Sequence, residues 1–320
     1  MKKQNKYKLA ITGLAGACLM AALCCSPAQL KAQAKTAKDT SAKAKDTAAE
    51  APVIKKKSYT KNTFEGNYLI DNETVMVPIK GTSEFDIQHR FGTMEHHFTD
   101  LFGIFGGATM RLGFSYTPLN NLQVGFGATN ERMQVDWNAK YALLKQTKNG
   151  SMPVSVTYYG DAAMDTRKKD ATTLFITTSD RFSYFNQILI ARKFSEDLSV
   201  QVGPSWSHFN NLQGYTDNEG VVHPIWNNDS FSFSASGRYK ISPKTAIIAN
   251  YDQPLTQHPA DNPHPNISFG LEMKSSGHDF EVFCGNYSSL IPQNNNLYNQ
   301  NDFTKGQFLI GFNISRLWNF

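Results

Sequence analysis

Ser230-Phe231-Ser232-Phe233-Ser234-Ala235-Ser236-Gly237-Arg238-Tyr239-Lys240 decides the fold. Its odd positions are apolar or small and its even positions carry a hydroxyl or a charge, which is the period of a strand and not of a helix. Other stretches repeat the device. Met110, Leu112, Phe114 and Tyr116 oppose Thr109, Arg111, Gly113 and Ser115. Val135, Trp137, Ala139, Tyr141 and Leu143 oppose Asp136, Asn138 and Lys140. Ile267, Phe269, Leu271 and Met273 oppose Ser268, Gly270, Glu272 and Lys274. Each strand thus has one greasy and one hydrophilic face. A sandwich would press the greasy faces together, whereas a membrane barrel would turn them to lipid.

Length and spacing favour the barrel. Strands are predicted at about 82–91, 108–117, 121–130, 133–144, 152–160, 181–193, 197–209, 229–241, 245–253, 265–274, 279–287 and 306–318. Their number is even, and about ten residues crosses a bilayer at a tilt of about 45°. The connections alternate. Pro118–Asn120, Lys145–Ser151, Phe194–Asp197, Ser242–Lys244 and Ser275–His278 are short, whereas Gly92–Gly107, Asp161–Asp180, Asn210–Asn228, Pro254–His264 and Ser288–Lys305 are long. The tight turn near Asn130–Arg132 is the exception. Short turns on one rim and long loops on the other are the layout of an outer-membrane barrel with both chain ends on the periplasmic side. The expected fold is therefore all-β: a transmembrane antiparallel up-and-down β-barrel of about twelve strands, preceded by a signal peptide and a disordered linker.

The ends of the chain agree with export. Met1–Lys8 is basic, Leu9–Cys25 is apolar but short of a membrane span, and Ala32-Gln33-Ala34 offers a cleavage site, so residues 1–34 read as a signal peptide. Lipid attachment at Cys18, Cys24 or Cys25 is the competing reading. Residues 35–57, nearly all Ala, Lys, Thr, Asp and Ser, read as a flexible periplasmic linker, and residues 58–320 as the barrel domain. At the other end Phe308, Ile310, Phe312, Ile314, Trp318 and Phe320 share one face. Phe312, Ile314, Trp318 and Phe320 resemble the terminal signal read by the barrel assembly machinery. Arg316 interrupts that row, where proximity to the interface keeps its cost at about 0–1 kcal/mol.

Several functional classes fall away. Five Lys in residues 1–34, and seven Lys against three acids in 35–57, leave 20 basic and 24 acidic residues from Ser58 onward. The body is mildly acidic, so the overall +5 charge gives no footing for nucleic acid. Loss of the leader leaves Cys284 alone, so no intramolecular disulfide can form.

The pieces Phe85-Asp86-Ile87-Gln88-His89-Arg90-Phe91-Gly92, Leu101-Phe102-Gly103, Met110-Arg111-Leu112-Gly113-Phe114, Val124-Gly125-Phe126-Gly127, Lys140–Gln146 and Gly311-Phe312-Asn313-Ile314-Ser315-Arg316 together resemble a Bacteroidota family of outer-membrane β-barrels of unassigned function. The similarity covers nearly all of residues 63–320. It implies a fold and a location, with outer-membrane lipid as the surrounding partner, and no substrate.

The inward charges are the best functional candidates. Parity places Glu84, Asp86, Arg90, Arg111, Asp136, Lys140, Arg238, Lys240, Glu272 and Lys274 inside. Barrels of about 8 strands are filled by side chains and those of about 16 hold an aqueous channel, so one of twelve must be filled or lined. The first expectation is a narrow pore or transporter for an unidentified small solute, lined by Asp86, Arg90, Arg111, Asp136, Lys140, Arg238 and Glu272. The alternatives are a closed structural or adhesin-type barrel acting through its outer loops, and a hydrolase at the rim. No enzyme signature is strong: Ser207 and His208 point to opposite faces of one strand and cannot pair as nucleophile and base. His96, His97, His223, His258 and His264 fall in predicted loops without metal-ligand spacing, and no cofactor is expected. Tyr116, Tyr158, Tyr159, Tyr184, Tyr239, Tyr251, Trp206 and Trp318 are expected in interfacial aromatic girdles.

Overall fold

A computed structural model of the chain describes residues 58–169 and 175–319. The predicted signal peptide, the linker and Phe320 lie outside the described residues. Two short paired segments come first, β1 (Tyr68–Leu69) and β2 (Asn72–Glu73). Seven strands follow: β3 (Thr82–Thr93), β4 (Thr109–Leu119), β5 (Leu122–Thr129), β6 (Gln134–Leu144), β7 (Ser155–Asp165), β8 (Phe182–Lys193) and β9 (Leu198–Phe209). A loop hairpin, β10 (Gly214–Thr216) and β11 (Val222–Pro224), precedes β12 (Asp229–Ser242), β13 (Thr245–Pro254), β14 (Asn266–Ser275) and β15 (His278–Gly285). A helix of about two turns, α1 (Pro292–Tyr298), comes before the last strand, β16 (Leu309–Asn319).

Twelve of the strands, β3–β9 and β12–β16, form one closed antiparallel barrel in which each pairs with its sequence neighbours. The seam joins β16 to β3 with Ile314 opposite Ile87 and Gly311 opposite Arg90, next to a register shift at Leu309. Closure leaves no strand edge unpaired, as a bilayer requires. Among the described residues no helix is long and apolar enough to cross a membrane. Strand bounds agree with the alternation to within a few residues, because a one-residue slip would exchange every greasy side chain with a polar one.

The alternation sorts as the two-solvent argument requires. Phe114, Phe126, Trp137, Phe231, Phe269 and Leu271 stand exposed on the outer surface, with Phe126 packed against Trp137 at 6.0 Å. Ser230, Ser232, Ser234, Ser236 and Arg238, the hydrophilic half of the opening stretch, are buried inside. Such an apolar belt could not stand in water, and lipid chains cover it at no cost. Arg316 lies outside near the end of β16, with its guanidinium 5.1 Å from the Trp318 ring. One girdle assignment is corrected: Tyr159 is buried in the lumen, 6.0 Å from Phe185, because in β7 it faces opposite to Tyr158.

Candidate functional site

The lumen is filled by two segments of the chain. The first precedes the barrel. At the short-turn rim Thr60 N–H donates to Gln146 O at 2.8 Å and Lys148 N–H to Ser58 O at 2.9 Å. From there residues 63–76 enter the cylinder, turn at Ile70-Asp71 and return to β3, where Gly81 N–H donates to Thr117 O at 2.9 Å. Phe64, Leu69, Ile70 and Val75 of this plug form one cluster with Tyr159, Phe185, Leu189, Ile248 and Phe283 of the wall. Fully burying an apolar side chain of this size contributes about 1.5–3 kcal/mol, so these four anchors supply roughly 6–12 kcal/mol as an upper bound. The apolar core of the barrel thus lies inside it, between plug and wall.

Polar contacts complete the docking. Lys140 Nζ reaches Glu73 at 2.8 Å and donates to Asn67 Oδ1 at 2.9 Å. Val75 N–H donates to Gln201 Oε1 at 2.8 Å, and Thr157 Oγ1 to Val75 O at 2.8 Å. At the tip Ile70 has φ 63°, a left-handed conformation strained for a β-branched residue. It is gripped from several sides. Its N–H donates to Glu281 Oε2 at 3.1 Å, and its carbonyl accepts from Asn313 and from Arg90. Asp71 accepts from Tyr287 at 2.7 Å and Asn250 at 3.0 Å.

All seven candidate lumen residues, Asp86, Arg90, Arg111, Asp136, Lys140, Arg238 and Glu272, are buried inside the barrel. Arg111 bridges three strands, reaching Asp86 at 3.1 Å and Asp136 at 2.6 Å. Inward-facing Gly113 and Gly127 make room for this network, since a Cβ at either would overlap Asp86 or Arg111. Arg238 pairs with Glu272 at 2.5 Å and lies 3.8 Å from Glu65 of the plug. Arg90 takes no carboxylate partner among the described residues and instead lies 4.5 Å over the Phe283 ring, donating to Asn313 at 2.9 Å. Lys274 is half-exposed at the short-turn rim, where it reaches Glu65. The structure therefore brings Asp86, Arg111 and Asp136 together, and Arg238 with Glu272, as separate networks that each touch the plug.

Strand reading from Thr82 onward missed the plug. A signal for it existed: Tyr158-Tyr159, Ile188-Leu189-Ile190, Ile247-Ile248 and Val282-Phe283 break the alternation by placing an apolar residue on the inner face as well. Those inward residues are where the plug docks.

The second filler, a cap, descends from the loop between β15 and β16. Gln293 of α1 donates to Asp161 at 3.0 Å and Ser183 at 3.2 Å, and Asn294 to Gln134 at 2.6 Å, while Leu297 is fully buried. The small serines of β12 leave space for this helix. Between plug tip and cap a void of about 20 Å³ remains beside Tyr68, Asp71, Leu290 and Ile291, room for about one water. A wider hollow of about 100 Å³ opens at the long-loop rim, lined by Arg132, Arg181, Phe209, Trp226 and Tyr298.

The loop histidines do not converge. Among the described residues no group of three or more His, Cys, Asp or Glu is placed to hold a metal. His223 pairs with Asp217 at 2.6 Å and His208 with Asp229 at 2.8 Å. His258 is different: its Nδ1 accepts from Asn227 N–H at 3.0 Å, and burial holds its imidazole below the ordinary histidine range. Because the folded state prefers the neutral ring, this contribution is present above the unfolded value of about 6.5 and is lost as pH falls through the folded value. Protection of the Asn227 amide, corrected for intrinsic exchange, should fall between about pH 7.5 and about pH 5. Equal protection at both ends would contradict this assignment.

Among solved structures the barrel is similar to a NanC porin, at TM-score 0.45 and 11% identity over 74% of this chain and 99% of that one. It is also similar to a KdgM porin, at TM-score 0.42 and 11% identity over 74% and 99%. The COG4313 outer membrane channel from Pseudomonas putida F1 gives TM-score 0.45 and 10% identity over 76% and 97%. No curated protein matches the sequence. The family described as Membrane bound beta barrel domain (DUF5777) matches residues 64–318, which takes in the plug as well as all twelve strands, and the chain belongs to that family.

Proposed function

We propose that this chain is an outer-membrane barrel that serves as a narrow pore for small solutes, closed in this conformation by its own plug and cap. The carrying observation is how the plug is attached. Its only strand pairing is internal, between β1 and β2, and it contributes nothing to the twelve-strand ladder. The plug can therefore leave while every barrel hydrogen bond stays in place. Strain at Ile70 favours release, and the wall contacts oppose it. The leader delivers the chain to the periplasm, residues 35–57 stay on that side, and the Phe312, Ile314, Trp318 and Phe320 face is read during assembly.

The test uses the full chain in planar bilayers. Wild type should stay near background. The variant Leu69→Ser/Ile70→Ser, which removes two fully buried anchors, should show discrete conductance steps. If that variant keeps its heat-modifiable mobility and stays silent, the pore reading gives way to the closed barrel acting through its loops.

A further inference from the structure

The plug and cap occupy the lumen in a way that discloses what the wall prefers to bind. Ten acidic residues are buried among the described residues, and all but Glu73 of the plug sit on barrel strands, against four buried bases, Arg90, Arg111, Lys140 and Arg238. Among its buried groups the wall alone therefore carries nine carboxyl groups to four cations.

Pairing sharpens the excess. Arg111 serves Asp86 and Asp136, Arg238 serves Glu272, Arg167 serves Asp165, and Lys140 is spent on the plug's Glu73. Glu84, Asp161, Asp252, Asp279 and Glu281 have no ion pair among the described residues. Neutral N–H groups of the two fillers stand there instead. Asn72 Nδ2 donates to Asp252 at 2.8 Å, Ile70 N–H to Glu281 at 3.1 Å, Gln293 Nε2 to Asp161 at 3.0 Å, and Asn67 Nδ2 to Glu84. Two further oxygens, Glu84 Oε1 and Asp279 Oδ1, are buried with no donor at all, on residues 1% and 7% exposed. Such oxygens need a donor or a cation.

We infer that the pathway uncovered when the plug withdraws selects small cationic solutes, with Glu84, Asp252 and Glu281 as the wall residues that set the preference. In the closed state the plug's N–H groups occupy the places that an ammonium, a guanidinium or a hydrated metal cation would take in the open one. Withdrawal removes the plug's donors from those carboxylates, leaving Glu281 only Asn313 and Asp252 only Asn266 of the wall, and releases Lys140 from Glu73. The net charge of the exposed wall remains negative, so anions are repelled and cations are drawn in. This inference rests on the pore reading above.

The experiment is a reversal-potential measurement on full-length Leu69→Ser/Ile70→Ser protein under a KCl gradient. The substitutions are neutral, so the wall charge is unaltered. K⁺ permeability should exceed that of Cl⁻ by about fivefold or more. Adding Glu84→Gln, Asp252→Asn and Glu281→Gln to the same protein should bring the ratio towards unity. If the opened variant does not fold, Val75→Ser at the other side of the plug replaces it. A conducting protein with no cation preference, or with a ratio that the three neutralisations leave unmoved, overturns this inference and leaves the pore reading standing. Silence from every folded variant overturns both.

Discussion

Replacing Arg111 by Met should destabilise the folded barrel by about 3–5 kcal/mol, the range for removing one partner from a buried charge network. Arg111 donates through Nε and Nη2 to both oxygens of Asp136, at 2.9 and 2.6 Å, and through Nη1 to Asp86 at 3.1 Å and to the Tyr68 hydroxyl at 3.2 Å. It is only 4% exposed, so water cannot take its place. Met would leave two carboxylates unpaired inside the wall, and Tyr68 of the plug without its donor. The urea midpoint of the heat-modifiable band measures the loss. The triple variant Arg111→Met/Asp86→Asn/Asp136→Asn should recover most of it, because no uncompensated charge then remains. A single variant as stable as wild type would mean that water reaches the network.

The second large effect tests the outer face. Phe126 stands 46% exposed in mid-strand, opposite Phe114 and Trp137. Phe126→Arg should cost about 2–4 kcal/mol, as expected for an Arg held at the bilayer midplane. Tyr239→Arg, also outward but near the short-turn end of β12, should cost only about 0–1 kcal/mol, since its guanidinium can reach the headgroups. The difference between the two, read from urea titrations in the same lipid, is a depth profile. Equal costs would remove lipid from the account of the outer surface.

How much of this was legible in the sequence follows from which forces are local. Strand period is local, so Phe231, Phe233 and Tyr239 announced an outward face and Ser232, Ser234 and Arg238 an inward one, and all twelve strands were found. Loop lengths sorted the rims for the same reason. What alternation could not reveal is a segment that lacks it. Residues 63–76 have no regular period, because each residue meets a different strand: the Asn67 side chain meets Glu84, the Asn72 side chain meets Asp252, and the Val75 N–H meets Gln201. These are tertiary pairings across 17 to 180 positions of sequence. Tyr159 was misplaced because adjacent tyrosines fit either parity, and only the neighbouring Asp161 and Asp165 on its face distinguish them.

The grip on Ile70 is made of two halves. Arg90 comes from the first barrel strand and Asn313 from the last, and both meet the same carbonyl. A cylinder whose ends have not yet been zipped together owns only half of that clasp. Seam formation and plug capture are thereby linked, and linkage is reciprocal, so each strengthens the other by the same free energy. A barrel whose seam is out of register would lose the shared grip on the plug's tip while keeping the anchors at Lys140, Thr157 and Gln201.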